Sequence, residues 1–216
     1  MAHLWHRRAG ESQQKLQPDT SAIVNDPNFL HFSVSHGDPL AMSFTQKGGD
    51  LLYKCTTASH VSSITCQSGG GSRDVAKIRW NNYDIGTIMV EFLSQEPKHI
   101  EDFLKFVKDT GLEHRFNAKG RTLHGSFASD HFVLTDPDDT LLGHDNRVPA
   151  GLFRRPTPDS FDVSADLLDL LDYIFVAYLC MERARRERSA GIQSRAYSER
   201  WGPGTLGGQS AWGLAG

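Results

Sequence analysis

Between Leu167 and Met181 the sequence reads LLDLLDYIFVAYLCM, with only Asp169 and Asp172 interrupting its apolar residues. A helix without a continuous polar face has to be buried. Nine of its side chains are Leu, Ile, Val, Phe or Met, and burial of each is worth roughly 1.5 to 3 kcal/mol. Left in water, that loss exceeds the roughly 5 to 15 kcal/mol by which ordinary domains are stable. Protein or lipid must enclose this stretch, and length separates the two. Fifteen residues rise about 22 Å as a helix, whereas a bilayer core of about 30 Å asks for roughly 20 apolar residues. The two interior carboxylates also disfavour lipid. The spacing therefore predicts a core helix over about 164–188, with Ser164 as N-cap. Asp166, Asp169 and Asp172 lie on one side of its first turns, where the helix dipole favours anions, and Arg183, Arg185, Arg186 and Arg188 lie in its last turns, where it favours cations.

The remainder reads as strands. In the 216-residue chain, enough for one domain with a sizeable core, residues 28–189 carry periodic pattern. Residues 1–27 are polar apart from Leu4 and Trp5, and residues 190–216 are Gly- and Ser-rich with isolated Trp201 and Trp212. Both ends are expected to be disordered. Leu30, Phe32 and Val34 alternate toward a core, and LAMSFTQ follows as a second strand. LLYKCTT and VSSITCQ form a hairpin; if Thr57 pairs with Ser62, Cys55 lies opposite Ile64 and Cys66 opposite Tyr53, all four on the interior face. The glycine run 68–72 is a hairpin tip, because neither the Lys-Ser/Thr pair of a P-loop nor a βαβ context accompanies it. VAKIRW, with Ala76, Ile78 and Trp80 on one face, and IGTIMVEF come next. PKHIEDFLKFVK, residues 97–108, is predicted as a short amphipathic helix. HRF, TLHGSF, HFVLT, LLGHD, VPAGLFRR and Phe161–Val163 continue at intervals of about ten residues, an all-β signature without crossover helices.

Chemistry is sparsely signalled. A formal charge of -3 makes no electrostatic case for nucleic acid, and the N-terminus has no apolar signal region. An intracellular setting is the expectation, with Cys55, Cys66 and Cys180 as reduced structural thiols. The ten histidines include no His-Glu-x-x-His pair, and no Gly-x-Ser-x-Gly elbow or cofactor motif occurs. His114, His124 and His131, on neighbouring strands, are the candidates were the protein an enzyme. Asp136, Asp138, Asp139 and Asp145 could offer oxygens to a hard cation but lack the EF-hand spacing, and an ordinary turn is favoured. Arg183, Arg185, Arg186 and Arg188, with Arg154 and Arg155 near in the fold, form the candidate binding surface for anionic lipid or a protein partner.

The pieces LLYKCTT, VAKIRW, HRFNAKGRTLHG and FDVSADLLDLLDYIFVAYLCMERARR, spread over residues 28–188, resemble an uncharacterised fungal domain family whose members look like tubby-like, or LURP-one-like, barrels. The resemblance implies an antiparallel β-barrel closed around one apolar helix, in a mainly β (α+β) domain. Relatives of that superfold include phosphoinositide-binding tubby domains and phospholipid scramblases. It implies a non-enzymatic binding module for anionic phospholipid or protein, with membrane association as a peripheral option. A helix-anchored membrane protein of scramblase type and a histidine-based enzyme are the alternatives. The tubby basic pocket has no matching motif here.

Overall fold

The structure is a computed structural model that describes residues 26–35, 38–80, 88–93, 95–107, 113–128, 131–146 and 159–189, the side chains of 106 and 187–189 excepted. The sequence reading of both chain ends, of VPAGLFRR, and of Arg154 and Arg155 falls outside these residues.

Among the described residues thirteen strands run β1 (Phe29–Val34), β2 (Ser43–Gln46), β3 (Leu52–Ala58), β4 (Val61–Ser68), β5 (Gly71–Arg79), β6 (Met89–Phe92), β7 (Lys98–His99), β8 (Lys105–Phe106), β9 (Glu113–Ala118), β10 (Arg121–Ala128), β11 (His131–Thr135), β12 (Leu141–Asn146) and β13 (Asp159–Ser164). Helix α1 is Ile100–Phe103, and α2 is Leu171–Ser189 after a 3-10 segment, Ala165–Leu170. All strands join one sheet in the order β7-β6-β5-β4-β3-β2-β1-β13-β12-β11-β10-β9-β8, and every pairing is antiparallel. The chain thus starts at the middle of the sheet and winds out to one edge as a meander. It crosses to the other edge and winds back until β13 lies against β1.

The crossing is short, and that bends the sheet. From His99 to Lys105 the backbone reaches at most about 22 Å, whereas thirteen flat strands span twelve spacings of about 4.8 Å, or about 58 Å. The sheet must roll until its edges approach. The expectation of a closed barrel is nevertheless not met at the level of backbone pairing, because β7 and β8 remain unpaired with each other. Side chains of α1 occupy this seam: Phe103 meets Phe92 of β6 at 5.2 Å between ring centroids and Phe116 of β9 at 5.9 Å. The same geometry corrects the amphipathic helix predicted over 97–108. Cross-strand pairs Met89 with His99 and Lys105 with Arg115 recruit its two ends into the sheet, leaving four helical residues. A short helix is costly to nucleate and gains little by propagation, so ladder hydrogen bonds win. Ile100, Phe103 and Leu104 still face inward as their spacing indicated.

The hairpin register read from sequence is the one observed: Thr57 opposite Ser62, Cys55 opposite Ile64, Tyr53 opposite Cys66. Likewise the glycine run makes the two-residue turn between β4 and β5. Gly69 and Gly70 take φ of 56° and 83°, the left-handed pair that matches strand twist.

The apolar stretch of α2 is the centre of the core. Ile174, Phe175, Val176 and Ala177 are fully buried. Phe175 contacts Phe32, Phe44, Tyr53 and Phe161, from β1, β2, β3 and β13. Tyr178 packs on Phe132 of β11 and Tyr173 stacks on Phe92 of β6. The helix therefore ties both meanders together. No helix among the described residues is long and apolar enough to cross a membrane.

The helix begins differently from the prediction, as a 3-10 segment over Ala165–Leu170. Ser164 makes no side-chain cap to it; its hydroxyl instead donates to the Asp166 carboxylate. A 3-10 helix has three residues per turn, which aligns the acid repeat with the sheet. Asp166 pairs with Arg121 at 2.8 Å, Asp169 with Lys119 at 3.7 Å and Asp172 with Arg73 at 2.8 Å. Lys119 lies in one hairpin turn, Arg121 follows it and Arg73 follows another, so the stretch from 166 to 172 straps across one end of the sheet.

Candidate functional site

At the opposite end of α2 the last described turns carry Arg183, Arg185 and Arg186. The guanidinium of Arg183 lies 4.1 Å above the Trp80 ring, a cation–π contact. That ring is itself fixed by a hydrogen bond from its Nε1 to Ser62 Oγ at 2.6 Å. Glu182 is fully buried and receives Arg185 through Nε and Nη2, at 2.9 and 3.0 Å, and Arg186 through Nε at 2.6 Å. A buried carboxylate demands such partners, since removing one leaves an uncompensated charge. Arg183, Arg185 and Arg186 thus gather around the Glu182 turn. The backbone of Arg188 continues the helix.

The strand histidines do not converge. His114 stands opposite Gly125, on the side where a Cβ at Gly125 would meet Met181 Sδ at 2.9 Å, and is buried toward the helix. His124, the next residue on β10, faces the other way and lies 3.4 Å from Glu113. His131 stands opposite Ala128, four residues or about 13 Å along the strand from His124, with its Nδ1 3.6 Å from Asp145. Strand alternation sets His114 apart from the other two, and distance along the strand separates those.

Among the acidic candidates, Asp136 accepts the backbone N–H groups of Asp138 and Thr140 at 2.9 and 2.8 Å. The Thr140 amide, first, holds its carboxyl below the usual range. This is a side-chain-closed turn, with Asp139 in the left-handed region at φ 63°. Asp145 lies in the core, accepting the Phe132 amide at 2.7 Å and the Tyr178 hydroxyl at 3.2 Å. No group of three or more His, Cys, Asp or Glu among the described residues is placed to hold a metal ion.

The model of a family of unknown function, DUF6593, matches residues 37–187, which is most of the chain. The chain belongs to the DUF6593 family. No curated protein and no solved structure matches it.

In this DUF6593 domain the polar residues that sequence reasoning missed are His31, Asp162, His144 and Asn146. Register sets His31 and His144 on either side of Asp162, on β1, β13 and β12. Asp162 accepts His31 Nδ1 at 2.9 Å and Asn146 Nδ2 at 2.9 Å, with His144 Nδ1 at 3.8 Å. Asp162 and His144 are buried. The network knits the first and last strands of the chain together. Nothing local marks it, because His31 lies more than a hundred residues from the other three and only strand pairing assembles them. Glu182 was missed for the converse reason: among arginines it reads as dilution, and only burial shows it to be their anchor.

Hollows open among the described residues away from these groups. One, of about 80 Å³, lies beside Asp74–Lys77 and Leu93; another, of about 580 Å³, is an open groove between Asp50 and the glycine turn. The thiols of Cys55, Cys66 and Cys180 are buried and free, and burial pushes each upward in pKa.

Proposed function

We propose that this domain is a non-enzymatic intracellular binding module that presents the arginine-bearing end of α2 to anionic lipid headgroups. Arg183, Arg185 and Arg186 carry the reading, extended by Arg188, Arg154 and Arg155. The observation behind it is the gathering of arginines at the helix end, two of them held in place by the Glu182 carboxylate. Basic residues near an anionic leaflet each contribute about 1 kcal/mol. In this reading the rolled sheet is a tubby-like barrel, of the LURP-one-like and scramblase-like kind, with α2 as its filling; the complete burial of Ile174 to Ala177 supports that. A filled interior leaves the surface as the place of recognition. Association is peripheral, through headgroups and not through insertion of α2.

Flotation with phosphatidylserine-containing vesicles tests this. Salt-sensitive association that Arg186→Gln weakens is the expected result, because exposed charge pairs are screened beyond about 10 Å at 0.1 M salt. Absence of association at low salt overturns the lipid reading. Recognition of a protein is the second reading, favoured by Leu93 and Leu168, large apolar side chains that are 58% and 54% exposed.

A further inference from the structure

Attraction to a charged surface needs only positive charge, which a swinging lysine supplies. The arginine end of α2 does more than that, because each of its guanidiniums is held in one orientation. Arg183 lies over Trp80 at 4.1 Å, and Trp80 is itself fixed by a chain of hydroxyls. Its Nε1 donates to Ser62 Oγ at 2.6 Å, and the Thr57 hydroxyl, 2.5 Å from Ser62 Oγ, donates to the Leu40 carbonyl at 2.8 Å. With the Thr57 proton committed to Leu40, Ser62 is the donor between the two hydroxyls. Arg185 is bonded to Glu182 and lies 5.5 Å over the Phe127 ring. Arg186 meets the same carboxylate through Nε at 2.6 Å.

Oriented guanidiniums suit a ligand that reads direction as well as charge. A cation–π contact engages the charge of Arg183 and consumes none of its five N–H donors, whose planar fork matches a pair of phosphate oxygens. Arg183 and Arg186 are three residues apart and so share a helix face, and both are half-buried. We propose that these two side chains clamp a phosphate monoester on the headgroup of an anionic lipid such as phosphatidic acid, with Arg183 as the residue that sets the selectivity. A monoester has three unesterified oxygens, enough for two forks to engage one phosphorus, whereas the diester phosphate of phosphatidylserine has two. Glu182 keeps its partners throughout, because Arg186 meets it through Nε and the clamp draws on the outer nitrogens. The lipid as the source of the phosphate rests on the function proposed above; the clamp does not.

The test follows the arginine Nε–H resonances of the full chain while inorganic phosphate is added at constant ionic strength near pH 7. Arg183 and Arg186 are expected to shift saturably, with Arg73 and Arg121, bonded to the strap at the other end of α2, unmoved. Silence at Arg183 and Arg186, or equal shifts at all four, overturns the clamp. In flotation, vesicles matched in charge are expected to bind about tenfold more tightly with phosphatidic acid than with phosphatidylserine. Arg183→Lys keeps the charge and loses the fork, so it is expected to erase that preference while association with phosphatidylserine persists. Equal binding of the unaltered chain to both vesicles overturns the monoester selectivity, and a preference that survives Arg183→Lys overturns the role of Arg183. The resonance titration uses no variant, so it decides the clamp whether or not Arg183→Lys folds. If the unaltered chain binds neither vesicle, the lipid reading falls, and the phosphate titration still decides the clamp.

Discussion

At single positions the core leaves little slack, and two glycines show where. A Cβ on Gly143 would sit 2.8 Å from the backbone oxygen of Asp162, while one on Gly125 would meet Met181 Sδ at 2.9 Å. Backbone within a ladder cannot yield, but a methionine can re-rotate. Gly143→Ala is therefore expected to be the more destabilising, with overpacking costs of about 1 to 3 kcal/mol, and Gly125→Ala the milder; urea melts of both variants compare them. Cys180 sets a pH limit in the same way. Burial raises its pKa, so the folded chain keeps a proton that the unfolded chain releases near pH 8.5. The unfolded state then binds fewer protons than the folded state above that pH, and stability falls as pH rises. Cys180→Ala should flatten the decline between about pH 8 and 10, read from denaturation midpoints across that range.

Among elements, the strap from Asp166 to Asp172 concentrates three ion pairs of unequal worth. Asp172 receives Arg73 through both nitrogens at 2.8 Å and the Tyr53 hydroxyl at 2.7 Å. Burial and this carboxylate together raise the Tyr53 pKa, and the Asp172 hydrogen bonds raise that of Arg73. Asp169, by contrast, is 66% exposed and 3.7 Å from Lys119. Exposed pairs of that kind contribute about 0 to 1 kcal/mol, whereas hydrogen bonds to charged groups contribute about 1.5 to 3 kcal/mol. Asp172→Ala should lower the thermal midpoint clearly and Asp169→Ala barely. Equal losses would mean that the strap acts by net charge and not by bonded geometry. The acid repeat was legible in the sequence, but its period of three was read onto an α-helix; the 3-10 turn and the partners Arg73, Lys119 and Arg121 come from the sheet. The stretch 97–108 shows the same limit, since local spacing identified its inward residues while distant strands decided its backbone.

In the whole molecule α2 is the element that makes two meanders one domain. Phe175 touches strands from both, so Phe175→Ala is expected to cost about 3 to 5 kcal/mol and to keep a single unfolding transition. Two separated transitions in calorimetry would show that the meanders fold independently.

The chain's own pattern determined that a buried apolar helix packs against an antiparallel sheet, how the Cys55–Cys66 hairpin pairs, and which strand faces turn inward. Those follow from burial and from alternation, which act over a few residues. Tertiary structure alone decided that the sheet's edges stay unpaired, that His31, Asp162, His144 and Asn146 come together, that His114, His124 and His131 stay apart, and that Glu182 anchors the arginines. Each of these depends on which distant strand or turn lies alongside, and sequence periodicity carries no record of that distance.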